Sequence, residues 1–241
     1  MSFTPALRSE ALKVLSLRSL CGMLPALLAV TTAFSALAGV SDTSDPDFDP
    51  LFMALSGVAP GQIAAIAFGV MVVSSEFHGN GIRLSLAAVP RRGRWFAAKL
   101  VVIAVPVFVT GLLTAAAALF AARAGLGSAA DGLTAGQQVR GVVGLAVYLT
   151  LMSLLAAGLA ALFRSGVAAL STLVPFVLIV SFVIGDVAGG ATDVLPDKAG
   201  QVVIHQTHDG HLGPWTGLAV TALWAAAALL AGARRMRRGD A

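Results

Sequence analysis

The residues whose types and spacing come closest to a reactive site are three histidines and an aspartate, in the order His205, His208, Asp209 and His211. A His-x-x-His-x-x-His spacing on a helix brings three imidazoles toward one face, and three nitrogens with a carboxylate suit zinc. Gly210 and Gly213 work against a continuous helix, and the His-Glu-x-x-His pattern of a zinc hydrolase is missing from the sequence. His205, His208 and His211 are therefore expected to be interfacial or solvent-facing. A second acidic group, Asp42, Asp45, Asp47 and Asp49, alternates with Ser, Thr and Pro. It lacks the central glycine and terminal glutamate of a calcium loop. The sequence holds no G-x-x-x-x-G-K-[ST] phosphate loop. The single cysteine, Cys21, has no intrachain disulfide partner. The expectation is no catalytic residue, no cofactor and no metal.

The elements that carry these residues are strongly apolar. Of 241 residues, 57% are hydrophobic and only 12% are charged, where a soluble domain averages about 25% charged. The charges avoid six stretches, 19–41, 50–75, 100–122, 141–163, 165–185 and 210–233. An α-helix needs roughly 20 apolar residues to cross a bilayer core of about 30 Å. The reading is an all-α polytopic membrane protein with spans at about 20–40, 56–75, 100–122, 141–163, 166–185 and 213–233. The first stretch exceeds the apolar core of a cleaved signal, roughly 7–15 residues, and is expected to stay as a span. No independent basic surface remains for nucleic acid.

Charge sign sets the orientation. If the amino terminus lies in the cytoplasm and each span crosses once, 13 of the 16 lysines and arginines fall on inward segments. The outward segments hold Arg123, Arg140, Lys198 and nine aspartates. Lys/Arg bias in short loops determines orientation, so both termini are expected inside a multi-pass protein of the cell membrane. Thr4 and Pro5 are a good helix start. Leu7, Ala11, Val14 and Arg18 then recur at helical spacing opposite Ser9, Lys13 and Ser16. That pattern predicts a short amino-terminal helix in the headgroup plane, turning upward near Arg18 to Leu20.

The inward connection 76–99 is dense in features. Glycines flank Asn80, residues 82–89 suit a short apolar helix, and Pro90 stops it. Arg91, Arg92, Arg94 and Lys99 anchor the return, with Trp95 and Phe96 expected at headgroup depth. Glu76 is placed to pair with a nearby arginine. An apolar helix between charged ends, presenting Leu84, Leu86 and Val89, suits docking of another protein. On the other side, Thr134 and Gln137 form a capping-box pattern that starts the fourth helix early. The turn at Arg164, Ser165 and Gly166 is tight, and Pro60, Pro106 and Pro175 can kink their helices. The outward loop 186–212 contains Val202, Val203 and Ile204, which predicts an ordered loop tucked against the spans.

These motifs carry a resemblance along essentially the whole chain. Glu10, Lys13, Arg18 and Ser19 resemble an E-x-x-K-x-x-x-x-R-S opening. Ser75, Glu76, Phe77, Ile82 and Arg83 resemble an S-E-[YF]-…-[IT]-R pattern. Ala87 through Arg92, with Ala98 and Lys99, resembles an A-x-[VP]-P-R-R-…-A-K segment. Leu195, Pro196, Gly200, Pro214, Trp215, Trp224 and Arg235 resemble the family's last third. The chain is similar to the membrane subunit of type 2 ABC exporters. At 78–81, relatives usually carry an Arg-x-Gly-Thr-like stretch where this chain has His78, Gly79, Asn80 and Gly81. The resemblance implies a permease that couples to a separate ABC ATP-binding subunit through Glu76, Arg83, Leu84, Pro90, Arg91 and Lys99. It also implies a second permease subunit, as a homo- or heterodimer. Membrane lipids and an unidentified amphipathic cargo complete the expected partners. The alternatives are a non-transporting scaffold or regulator and a membrane-embedded enzyme, the latter needing polar residues that face each other within the membrane.

Overall fold

The computed structural model describes residues 3–39, 48–77, 92–126, 131–180, 193–207 and 211–238; among them every regular element is helical. Helix α1 (Phe3–Ser16) begins beside Thr4 and Pro5 and buries Ala6, Glu10 and Val14, one residue per turn. Leu17 is extended, with φ −94° and ψ 107°, and separates α1 from α2 (Arg18–Ala38). The break between the two helices thus falls one residue before Arg18.

The second apolar stretch is not a single uninterrupted helix. Asp49 caps α3 (Pro50–Leu55) by accepting a 2.9 Å hydrogen bond from the Phe52 N–H, and Pro50 occupies the first turn, where a missing donor costs nothing. After a turn at Ser56 and Gly57 the chain continues as α4 (Val58–Ser74) and a 3₁₀ turn (Ser75–Phe77). Gly57 is required by packing, because a Cβ there would collide with the Thr31 carbonyl of α2.

Helix α5 (Arg92–Leu126) starts about two turns before the expected span at 100. Its first turns are supported by burial, since Trp95, Ala98 and Lys99 pack inside the protein and α1 lies against them. Trp95 and Phe96, at 1% and 7% exposure, are therefore interior rather than presented to headgroups. Helix α6 (Ala135–Phe163) opens with both halves of the capping box formed by Thr134 and Gln137. It closes at Arg164, whose left-handed backbone (φ 54°) makes the tight turn. Ser165 then caps α7 (Gly166–Pro175), which runs on as a π-helical turn (Phe176–Val180). These 15 residues rise about 22 Å at 1.5 Å each, and the remainder of the expected span 166–185 lies outside the described residues. Helix α8 (Pro196–Gln201), a 3₁₀ turn (Val202–Ile204) and α9 (Pro214–Arg238) follow.

Among the described residues, five helices are long and apolar enough to cross a membrane: Arg18–Ala38, Pro50–Phe77, Gly93–Leu126, Ala135–Phe163 and Pro214–Arg237. Helix α6 is central and packs against α4, α5 and α9, while α2 closes on α4 and α5. Small residues allow the close crossings: Gly158 of α6 meets the α9 backbone at Ala228 and Leu229, and Gly232 of α9 meets the Gly158 carbonyl. Large apolar side chains face outward at helical spacing, as Val101, Val105, Val109 and Leu113 do along α5. An all-helical, multi-pass membrane protein is the class these features define.

The described part of the last long loop is packed down, as its apolar content predicts. Val203 and Ile204 are fully buried, and Val203 sits against Gly144 of α6. Polar groups seal the same contact. The Tyr148 hydroxyl bonds to Gln62 of α4 and accepts from Gln201 at 3.2 Å, while Thr221 of α9 donates to the Pro196 carbonyl at 2.8 Å. These polar side chains do face each other inside the bundle, but amide, phenol and hydroxyl are bound to one another or to backbone. Their evident effect is to hold α8 against α4, α6 and α9.

Candidate functional site

Helix periodicity assembles a cluster of four charges at one end of the bundle. On α1, Glu10 and Lys13 are three residues apart and so share a face. On α5, Trp95 and Lys99 are four apart and point toward α1. Glu76 lies on the 3₁₀ turn that ends the second span. Lys99 Nζ is 2.6 Å from Glu10 Oε2 and 3.0 Å from Glu76 Oε1, and it also donates to the Val72 carbonyl at 3.3 Å. Lys13 Nζ is 2.8 Å from Glu10 Oε1 and 2.8 Å from Glu76 Oε1. The Trp95 indole N–H donates to Glu10 Oε1 at 3.1 Å, and its ring lies 5.3 Å from the Lys99 ammonium.

Burial makes these contacts consequential. Glu10, Glu76 and Lys99 are 3%, 4% and 1% exposed. Ions so far from water persist only when paired and hydrogen-bonded, and here two carboxylates offset two ammonium groups. Burial on its own would lower the Lys13 pKa, but hydrogen bonds to Glu10 and then Glu76 hold it above its ordinary value of 10.5. Every charge in the cluster is thus engaged in holding another, which suits mechanical connection better than proton transfer. Three separate pieces of chain are joined: α1, the end of the second span and the start of α5.

Of the residues expected to form a coupling region, Glu76 and Lys99 come together. Arg83, Leu84, Pro90 and Arg91 lie outside the described residues. Glu76 was expected to meet an arginine; its described ion pairs are with Lys13 and Lys99. Glu10, Lys13 and Trp95 join Glu76 and Lys99, although the coupling region expected from the sequence does not include these residues. The spacing of Glu10 with Ala6 and Val14, four residues to either side, is the local signal for its burial, and it differs from the Leu7, Ala11, Val14 and Arg18 face read from the sequence.

A second polar cluster lies at the other end of the spans. His205 Nδ1 is 3.1 Å from Asp49 Oδ2, its ring stacks on Phe52 at 4.5 Å, and the Gln206 N–H donates to the same Asp49 oxygen at 2.8 Å. Arg140 of α6 donates to the His205 and Gln206 carbonyls. Burial alone would raise the Asp49 pKa, but hydrogen bonds from His205, Phe52 and Gln206 hold it below its ordinary 3.8. His205 is thus committed to a carboxylate before the second span, while His211 is exposed and His208 lies outside the described residues. Among the described residues, no group of three or more His, Cys, Asp or Glu side chains is placed to hold a metal ion.

No protein-family model matches the chain, and no curated protein matches it either.

Proposed function

We propose that this chain is the membrane-spanning permease subunit of an ABC transporter that exports its cargo, with ATP hydrolysis performed by a separate subunit. In this reading the sixth span is 166–185, both termini are cytoplasmic, and α1 lies at the headgroup level. One observation carries the reading beyond apolar composition: Glu76 and Lys99, which bracket the connection 78–91, are paired with each other and with α1.

A push from a partner on the connection would reach the end of the second span and the start of α5 together, because a buried ion cluster joins them. Removing one member strands a charge out of water, so the joint resists opening. A flexible solvent-exposed loop would instead dissipate the displacement. The sequence motifs around Glu10, Glu76, Arg83, Pro90 and Lys99 support the same reading.

Purification of the tagged chain from its native membranes in mild detergent tests the proposal. The expected result is a co-purifying polypeptide that carries a G-x-x-x-x-G-K-[ST] loop and hydrolyses ATP. Arg83→Glu or Leu84→Asp is expected to weaken that association while leaving membrane insertion intact. Recovery of both variants with the ATPase at wild-type yield would overturn the placement of the docking segment. Absence of any such ATPase from the wild-type preparation would overturn the function.

A further inference from the structure

The last helix carries a feature that the coupling cluster does not use. Leu223 and Leu230 are 70% and 58% exposed and lie seven residues apart, on one stripe of α9. Continuing that stripe by steps of four and three leads to Arg234 and Arg237, both exposed. The apolar face turned away from the bundle therefore runs directly into two guanidinium groups where the uncharged stretch ends at Ala233. The beginning of α5 lies beside them, since a Cβ on Gly93 would stand 3.4 Å from an Arg237 nitrogen.

These arginines are not neutralised by the cluster nearby. Glu10 and Glu76 are taken up by Lys13 and Lys99, and among the described residues no ion pair involves Arg234, Arg235 or Arg237. Met236, between them, is buried at 7% exposure and fixes the orientation of the turn. A guanidinium presents a planar fork that matches two phosphate oxygens. At the end of an apolar outward-facing stripe, such a group suits the headgroup level of a bilayer.

We propose that Arg234 and Arg237, at the end of the exposed stripe of α9, form a binding site for the phosphate headgroup of an anionic phospholipid. The acyl chains would lie along Leu230 and Leu223, and the phosphate would bridge the two guanidinium groups. Arg235, about 100° further round the helix, adds to the local positive potential. This site depends on α9 meeting lipid and is independent of any transport activity.

The test is native mass spectrometry of the full chain in detergent, titrated separately with phosphatidylglycerol and phosphatidylcholine. Wild type is expected to retain phosphatidylglycerol preferentially. The R234Q/R237Q variant should bind it more weakly, by roughly fivefold for each arginine removed at low ionic strength, with phosphatidylcholine binding unchanged. Arg123→Gln, an exposed arginine at the far end of α5, should leave the preference intact. Equal phosphatidylglycerol affinity in wild type and R234Q/R237Q would overturn the proposal. So would full competition by soluble glycerol phosphate, which would indicate a site for a free anion. Loss of a bound protein subunit without any change in phosphatidylglycerol binding would assign the arginines to protein docking and also overturn it.

Discussion

Lys99 and Glu10 form a 2.6 Å ion pair between side chains that are 2% and 3% exposed, joining the amino-terminal helix to the start of the third long helix. Such a pair is a poor source of net stability compared with apolar packing, but breaking it from one side is costly. Lys99→Met would leave Glu10 and Glu76 buried with Lys13 as their remaining described cation. The expected cost is about 3–5 kcal/mol, read as a lowered apparent Tm of the detergent-purified chain. Lys13→Met should cost less, because the Lys13 side chain is 41% exposed. Adding Glu10→Gln to Lys99→Met should recover part of the loss. Equal losses for Lys13→Met and Lys99→Met would contradict the assignment of Lys99 as the centre of the cluster.

The Asp49 clamp predicts a pH dependence with a definite sign. Its folded pKa is lowered, so its contribution is complete above the ordinary carboxylate value of 3.8 and is lost as pH falls through the lowered folded value. The difference in stability between wild type and Asp49→Asn should therefore be largest at pH 5–7, on the carboxylate reference of about 3.9. It should shrink only below about pH 4. Thermal unfolding followed at several pH values measures it. A difference that grows on acidification would show that the carboxylate is not stabilised by these hydrogen bonds.

Local signals are legible in the sequence, whereas contacts between distant residues are set by the fold. The Thr134 and Gln137 cap is legible because both partners lie within one turn. The burial of Val203 and Ile204 is legible because apolar residues in a long loop need cover. By contrast, the close approach of Gly57 to the Thr31 carbonyl of α2, beside the break between α3 and α4, is a contact between distant residues that no local pattern marks. The early start of α5 arises from α1 covering Trp95 and Lys99, a tertiary effect. Glu76 shows the limit most clearly. Its position at the end of a span signals an ion pair, but only the fold selects Lys13 and Lys99 as partners. The pairing of His205 with Asp49 is hidden for the same reason, since the local spacing of the histidines suggests one another instead.

The proposed orientation predicts a labelling pattern. With Cys21 replaced by serine, a cysteine at Ser44 should react with a membrane-impermeant thiol reagent on intact cells. A cysteine at Ser85 should react only after the membrane is opened. The reverse pattern would invert the orientation and move the charge cluster of Glu10, Lys13, Glu76 and Lys99 to the outer side, away from any cytoplasmic ATPase.

The most direct test of the permease reading is the mass of the intact complex, extracted in mild detergent or nanodiscs and shown to transport. On the proposed reading, a subunit with six spans and one docking segment would be half of a twelve-span machine. The predicted particle contains two permease subunits and two ATPase domains; a second, different permease in place of a second copy would keep the mechanism and exclude only the homodimer. A stable, transport-competent particle containing one copy of this chain, with no second permease, would contradict the account.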